Sequence, residues 1–522
     1  MISRTLVFLL LLCIMAGHAQ VGNLDNNFSG DGKLMTPIGN GNDLAYGVAV
    51  QGNNRIVAVG VSRQGGNDDF AIIRYMEDGT LDNSFSGDGI LTIDFDGGND
   101  EARDVMILPD GKILVGGTAR IGSDFDFAFA MLDSEGNLVT SFDGDGLSTY
   151  DFSNSNDALT RIEIYKDRIY GIGSSIVNDL EQYAIVALKM SGAPETAFSQ
   201  DGMLVLDVDA GQDVATGIAV QPDDKILVAG YTGIGFEKEF CVVRFKPDGS
   251  LDNSFSSDGI VIPDVGTIDD RAYGIALQAD QKIIVGGSSY TDTGYDFALI
   301  RLLPDGNLDL DFGEDGYAVE TIGPFFDDAR DMILQPDDKI LITGYAAQAA
   351  TDADFGLARF TADGTLDNTF SQDGKVITVM GSGESEDEAH AIALQPDGKI
   401  VIVGEAQNNS NNLDFAVARY LSGLTTSIAE EVFTIDQLTL FPNPTQTSLQ
   451  VDFYIPEEQL LEFSIADLSG KQVEIIQKKR HYLAGSHTLT LQLPASLPTG
   501  AYILNVTNAS RRSGGYKFLE NR

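Results

Sequence analysis

Side chains able to do acid–base or metal chemistry are unevenly supplied in this chain. Four histidines occur, His18, His390, His481 and His487, too few and too scattered for a histidine-rich metal centre or a Cys2His2 zinc site. A Ser-His-Asp triad in the long central region would have to use His390. That residue stands in EDEAHAIALQ, at a strand position matched in other copies of the same unit by Tyr46, Asp104, Ile162, Thr216, Tyr273 and Arg330, and it reads as a surface residue at a variable position. The only cysteines are Cys13 and Cys241. No GxxxxGK[ST] phosphate loop is present, and the glycines fit turns. Carboxylates are plentiful, which leaves room for a glycosidase-type pair and for Ca2+ on acidic stretches such as DFDGGND (94–100) and LDNSFSGDG, since Ca2+ takes hard oxygen ligands. No copy completes the EF-hand loop, so structural Ca2+ is the only cofactor candidate and its ligands stay unassigned.

The elements that must position these residues come from repetition. LDNSFSGDG at 81–89 recurs as LDNNFSGDG (24–32), LVTSFDGDG (138–146), PETAFSQDG (194–202), LDNSFSSDG (251–259), LDLDFGEDG (308–316) and LDNTFSQDG (366–374). Phe28, Phe85, Phe142, Phe198, Phe255, Phe312 and Phe370 are thereby spaced by 56–58 residues. A turn ahead of Arg55, Lys112, Arg168, Lys225, Lys282, Lys339 and Lys399 keeps the same step. Each unit holds four short runs of β-rich or alternating character; after Gly89 they are ILTIDF, ARDVMILP, KILVGG and FDFAFAML, bounded by Gly, Asp or Asn. Seven such units predict an all-β seven-bladed propeller, which removes exposed sheet edges; a β-solenoid is the alternative. GKLMTPI and DFAVARY are candidates to share the closing blade.

Repetition also weighs the chemistry. Asp31, Asp88, Asp145, Asp201, Asp258, Asp315 and Asp373 recur in every copy, so a turn role explains them. Arg74, Arg244, Arg301, Arg359 and Arg419 recur likewise, replaced by Met131 and Lys189, and read as a blade-internal tie to a repeated Asp. A group present seven times is rarely a catalyst, so the expectation is a non-enzymatic protein. The DG-K turns and LDxSFxxDG connections fall on one face of the ring. The opposite face carries what differs between copies, including SRQGGND, ARIGSDF, YTGIGFEKE and SYTDTGYD. Tyr231, Phe236, Tyr290, Tyr295 and Tyr345 on those loops are the candidate contacts for a glycan or protein ligand.

The pattern LDxSFxxDG, then QPDGKI, then DFAVARY resembles the delta-60 repeat family over residues 22–423, which implies an extracellular propeller-like protein and no assigned activity. After Gly423 the period stops, and 424–437 reads as a linker. Residues 425–522 hold 8 Lys+Arg and 10 Asp+Glu, whereas 20–424 hold 24 and 68. Alternating strands and turns from 438 onward suggest a small β-sandwich, with a stalk or carbohydrate-binding module as one reading. FPNP (441–444), DLSGK (467–471), LPTGAY (497–502) and YKF (516–518) together resemble the type A C-terminal sorting domain of type IX secretion. The resemblance implies that Pro442, Asn443, Pro444, Gly470, Lys471, Gly500, Tyr502 and Lys517 carry a sorting signal, that the secretion machinery is a partner, and that the source is a bacterium of the Bacteroidota type.

The first 19 residues agree with that address. Arg4, the apolar run Leu6 to Met15 and Gly17-His18-Ala19 form a secretory signal-peptide pattern, too short to span a bilayer, and no other segment is long and apolar enough. The expected location is secreted or attached to the cell surface. Cys13 would leave with the leader and Cys241 could then form no internal disulfide. With 33 Lys+Arg against 78 Asp+Glu, the net charge of −45 repels phosphate backbones and sets aside a nucleic-acid partner. The 522 residues, 43% of them hydrophobic, are ample for several cores. The expectation is an exported binding or adhesion scaffold. The alternatives are an extracellular polysaccharide lyase or glycosidase and a Ca2+-stiffened adhesin. An enzyme predicts unrepeated acidic and aromatic residues clustered at one channel mouth; a scaffold predicts a broad face without perturbed carboxylates.

Overall fold

In the computed structural model, residues 20–424 are described apart from 153, 267, 293, 350–351 and 382–385. Residues 436–520 are described apart from 442–446, 456–458, 467–471, 484, 495–496, 498–499 and 509–510. The expected leader, with Cys13 and His18, therefore lies outside the described residues. So do Pro442, Asn443, Pro444, Gly470 and Lys471. The chain divides into two compact units, up to Leu424 and from Thr425. Among the described residues every regular element is a strand, and no helix is long and apolar enough to cross a membrane.

The first unit consists of seven four-stranded antiparallel sheets. Six are built from consecutive strands, covering residues 43–93, 100–150, 157–206, 212–261, 270–320 and 327–378, here blades 1 to 6. Blade 7 takes Glu388–Leu394, Ile400–Gln407 and Leu413–Tyr420 from the end of the unit and its outermost strand, Lys33–Thr36, from the beginning, with Lys33 opposite Ala418 and Thr36 opposite Phe415. GKLMTPI and DFAVARY thus close the ring. The phase of the repeat needs correction. ILTIDF, read as opening the second copy, supplies the outermost strand of blade 1, where Ile90–Ile93 pairs with Phe70–Ile73. LDxSFxxDG accordingly joins the third and fourth strands of one blade instead of joining blades.

Each blade buries apolar side chains from both faces against its neighbours, and each core cluster of this unit draws on two adjacent blades, as where Phe70 and Ile72 of blade 1 pack with Val105 and Val115 of blade 2. The connection phenylalanines seal these cores; all seven are at most 1% exposed, each such burial being worth about 1.5–3 kcal/mol. Over five of them lies the guanidinium of the repeated arginine, for example Arg74 at 4.8 Å from the Phe85 ring centre and Arg244 at 4.5 Å from that of Phe255. Cys241, in register with alanines and a glycine, is fully buried, and burial pushes its thiol up to about 12.

The arginine tie runs to the Asp of LDxSF. Arg74 Nε donates to Asp82 at 2.7 Å and Arg244 Nε to Asp252 at 2.9 Å. The basic residue of the KI turn reaches the same carboxylate, Arg55 to Asp82 at 3.2 Å and Lys282 to Asp309 at 2.9 Å. The arginine Nη1 then donates to a backbone carbonyl of the next blade, Ser134 from Arg74 and Ala362 from Arg301. The tie is therefore both internal to a blade and between blades. The DG aspartates hold their turns as expected: Asp88 accepts from Ile90 N and Asp373 from Lys375 N.

In the second unit, Asp436–Phe441, Ser448–Ile455 and Gly485–Gln492 form one sheet. Gln472–Tyr482, Gln459–Ala466, Gly500–Asn508 and Arg511–Glu520 form another. Leu449, Val451 and Phe453 of the first share a core with Leu461, Phe463, Leu504 and Val506 of the second. Tyr502 is buried in it, and Gly500 and Lys517 lie in the strands 500–508 and 511–520.

Candidate functional site

The innermost strand of every blade carries one β-bulge. Its register slips between Ala45 and Gly47 in blade 1, and equivalently at 102/104, 159/161, 215/217, 272/274, 329/331 and 389/391. A bulge leaves one residue without a partner and turns its side chain out of the alternation. The residues so released are Tyr46, Arg103, Thr160, Thr216, Tyr273, Arg330 and His390. All seven line a cavity of about 360 Å³ on the ring axis, with Arg161, Val214 and Tyr231 completing its wall. Two positions named from sequence shift accordingly: the counterparts of His390 are Arg103 and Thr160, not Asp104 and Ile162. Nor is His390 a surface residue, because the bulge turns it inward and its side chain is 14% exposed.

The cause of the bulge is written in the second strand. Gly60, Gly117, Gly173, Gly230, Gly287, Gly344 and Gly404 each pair with the residue just before it. A Cβ at Gly287 would stand 1.9 Å from Arg271 O and one at Gly404 1.8 Å from Glu388 O, so only glycine allows the approach. These glycines sit inside strands, a correction to the expectation that the chain's glycines fit turns.

The released side chains hold one another. Arg103 lies 4.3 Å from the Tyr46 ring centre and donates from Nη2 to Glu101 at 2.8 Å. His390 meets Tyr46 edge-on at 5.1 Å, with its Nε2 standing 2.6 Å from Glu405. Arg330 donates to Tyr273 Oη at 3.2 Å, pairs with Asp328 at 3.1 Å and lies 5.3 Å from the Tyr345 ring centre. Thr160 and Thr216 instead donate across to Ala215 O and Ala272 O, pinning adjacent innermost strands. Below this layer Arg161 of blade 3 reaches Asp331 of blade 6 at 2.9 Å. Arg161 also lines a smaller cavity of about 200 Å³, together with Asp104, Glu163 and Asp331. Burial, with Asp331 nearby and Arg161 opposing, holds Asp104 at about 6, and burial with the Asp104 charge holds Glu163 at about 7. A third cavity, about 580 Å³, shares Tyr46, Arg103 and Thr160 with the axial one and extends over blades 1 to 3 past Asp68, Phe125 and Glu181.

Of the five candidate aromatics, four gather in blades 4 to 6. Tyr231, Tyr290 and Tyr345 stand on second strands and Tyr295 on a third strand, within the strands rather than in the loops. Tyr231 faces the axial cavity with Arg271 5.7 Å from its ring centre; Arg271 is forked onto Asp269, which also accepts from Tyr295 Oη at 2.5 Å. Tyr290 packs edge-on against Tyr295 at 5.1 Å, and Tyr345 Oη donates to Asp328 at 3.2 Å. Phe236, 84% exposed at the turn after Ile234, stands apart. The bulged ring was missed because sequence alone gives strand period but no register. Glu388, two residues before His390, is raised by burial first and by the Glu405 charge, with His390 and Arg330 opposing.

A second repeated carboxylate also escaped the sequence reading. The Asp opening each innermost strand clasps the segment that enters it: Asp43 Oδ2 accepts from Ile38 N, Asp157 from Phe152 N and Asp327 from Ile322 N. At three junctions it stands in a carboxylate triad, namely Asp69, Asp94 and Asp100; Asp126, Asp151 and Asp157; and Glu239, Asp264 and Asp270. Burial first and then the neighbouring carboxylates push Asp69 and Asp126 up to about 6 and Glu239 up to about 7.

A seven-bladed propeller with an axial cavity is thus the class that fold and site define. Residues 51–85, 108–142, 221–255, 278–312, 335–370 and 395–425 match the β-propeller domain of unknown function DUF5122, and 439–517 match the secretion system C-terminal sorting domain. The chain therefore carries DUF5122 propeller repeats and a type IX sorting tail, and it is an exported protein of the cell surface or the medium. The unmatched copy is the third, where Tyr165-Lys166-Asp167 replaces the usual turn and Glu195 the usual Asp. Comparison with curated proteins gives no match. Among solved structures, polysaccharide lyase Uly1 aligns at 10% identity over 79% of this chain and 94% of its own, with a TM-score of 0.41. Virginiamycin B lyase from Staphylococcus aureus aligns at 10% over 74% and 98%, TM-score 0.39. A protein of unknown function from Dyadobacter fermentans aligns at 9% over 74% and 97%, TM-score 0.39.

Proposed function

We propose that this exported propeller is a non-enzymatic binding protein that takes an acidic glycan segment in its axial cavity and the adjoining cleft over blades 1 to 3. The carrying observation is the bulged ring. In a chain of net charge −45, seven equivalent positions deliver two arginines, two tyrosines and a histidine into one cavity. Tyrosine faces pack on the apolar faces of sugar rings, and a guanidinium forks onto a carboxylate or sulfate. The cluster Tyr231, Tyr290, Tyr295 and Tyr345 extends the aromatic surface over blades 4 to 6. On a glycan array the full chain is expected to retain acidic oligosaccharides over neutral ones. Arg103→Ala and Arg330→Ala should each weaken binding by roughly 10-fold or more, the usual loss for a hydrogen bond to a charged group. Binding of neutral sugars alone, unaffected by these changes, overturns the reading.

A second reading, eliminative or hydrolytic cleavage at the same cavity, is favoured by His390 set between Tyr46 and Glu405 and by the raised Glu388. Against it, Asp104 and Glu163, raised to about 6 and 7, line the smaller cavity and not the one that holds His390. Release of unsaturated or reducing ends from a bound acidic oligosaccharide would establish that second reading.

A further inference from the structure

Each junction between blades brings three positions together: the residue before the buried aromatic of the third strand, the residue leaving the outermost strand, and the Asp opening the next innermost strand. At three junctions all are acidic, and in each triad one oxygen per residue lies within 4.8 Å of the others. Three carboxylates so close repel unless a cation or donors separate them. Among the described residues the third-strand members accept no hydrogen bond. Asp126 is 7% exposed and accepts no hydrogen bond among the described residues. Glu239 Oε2 is likewise buried without a partner. No ion pair among the described residues reaches Asp69, Asp126 or Glu239.

Two of the four remaining junctions supply an internal contrast. Thr321 and Pro37 stand where a triad has its outermost-strand carboxylate. There the third-strand aspartates have a donor: Asp296 accepts from Thr291 Oγ1 at 2.7 Å and Asp414 from Asn408 Nδ2 at 2.9 Å. At these two junctions a neutral donor serves the third-strand carboxylate and no third carboxylate is present.

We propose that the three triads each bind a Ca2+ ion, which joins the third strand of one blade to the innermost strand of the next. All-oxygen donors suit a hard cation, and three carboxylates leave positions for water, which enters past the exposed Asp94, Asp151 and Asp264. The inference is independent of the glycan reading. The test is equilibrium Ca2+ binding to the full chain after chelation and dialysis, with Ca2+ alone as the probe. About three ions should bind per chain, one fewer in Asp126→Asn or Glu239→Gln and two fewer in the double variant. In chelator both variants should melt at or above the unchanged protein, because a crowded charge is gone; in Ca2+ both should gain less in Tm. No uptake, unchanged stoichiometry in the double variant, or an equal Tm gain from Mg2+ at matched ionic strength would overturn it.

Discussion

Asp82 sits between two cations, Arg74 almost fully buried and Arg55 from the turn. The same arrangement recurs where Lys225, Lys282, Lys339 and Lys399 join Arg244, Arg301, Arg359 and Arg419. Copies two and three show that it changes as a unit. Blade 2 has Met131 and Val139 in place of the Arg and Asp, both packed in its core, and blade 3 has Lys189 and Glu195. Removing one partner of a buried pair costs more than replacing both. Asp82→Val alone should therefore destabilise by about 3–5 kcal/mol, since it leaves Arg74 buried beside Arg55. Adding Arg74→Met, which rebuilds the blade 2 pairing, should recover most of that; urea unfolding of the three chains checks both statements. The tie was legible as a tie because the arginine repeats. Its partner was not, because several aspartates repeat at the same step and only geometry selects Asp82 over Asp88.

At the scale of the strand, periodicity revealed four strands per copy but neither their phase nor their register. The phase was hidden because a repeat looks the same wherever it is cut; blade 7 alone, borrowing Lys33–Thr36, sets the frame. The register was hidden because the extra residue in each innermost strand leaves the burial alternation running on either side of it. The usable signal was a glycine inside seven β-rich runs, read as turn chemistry when a strand-interior glycine marks a bulge or close backbone approach. Gly287→Ala tests this reading. Its Cβ would meet Arg271 O at 1.9 Å, so the innermost strand must shift, at a cost of roughly 1–3 kcal/mol. The midpoint of urea unfolding should fall accordingly. An equivalent loss is not expected at Gly52, whose Cβ would meet nothing within 4 Å.

For the whole molecule, the ring is fastened by residues far apart in the chain. Lys33–Thr36 completes blade 7, Arg419 pairs with Asp25 at 2.8 Å, and Phe28 lies under that arginine. Removing residues 20–36 should leave the third strand of blade 7 as an open edge and Arg419 without its carboxylate. The shortened chain is expected to self-associate, with size-exclusion chromatography showing larger species where the full chain shows one. The bar formed by Arg161 and Asp331 has a different consequence. Arg161 lines the axial cavity and, with Asp331, the smaller one, so the pair is a wall that the two spaces share. A change at either partner therefore reshapes both spaces at once, and blades 3 and 6, which share no sheet, are tied through the middle of the ring.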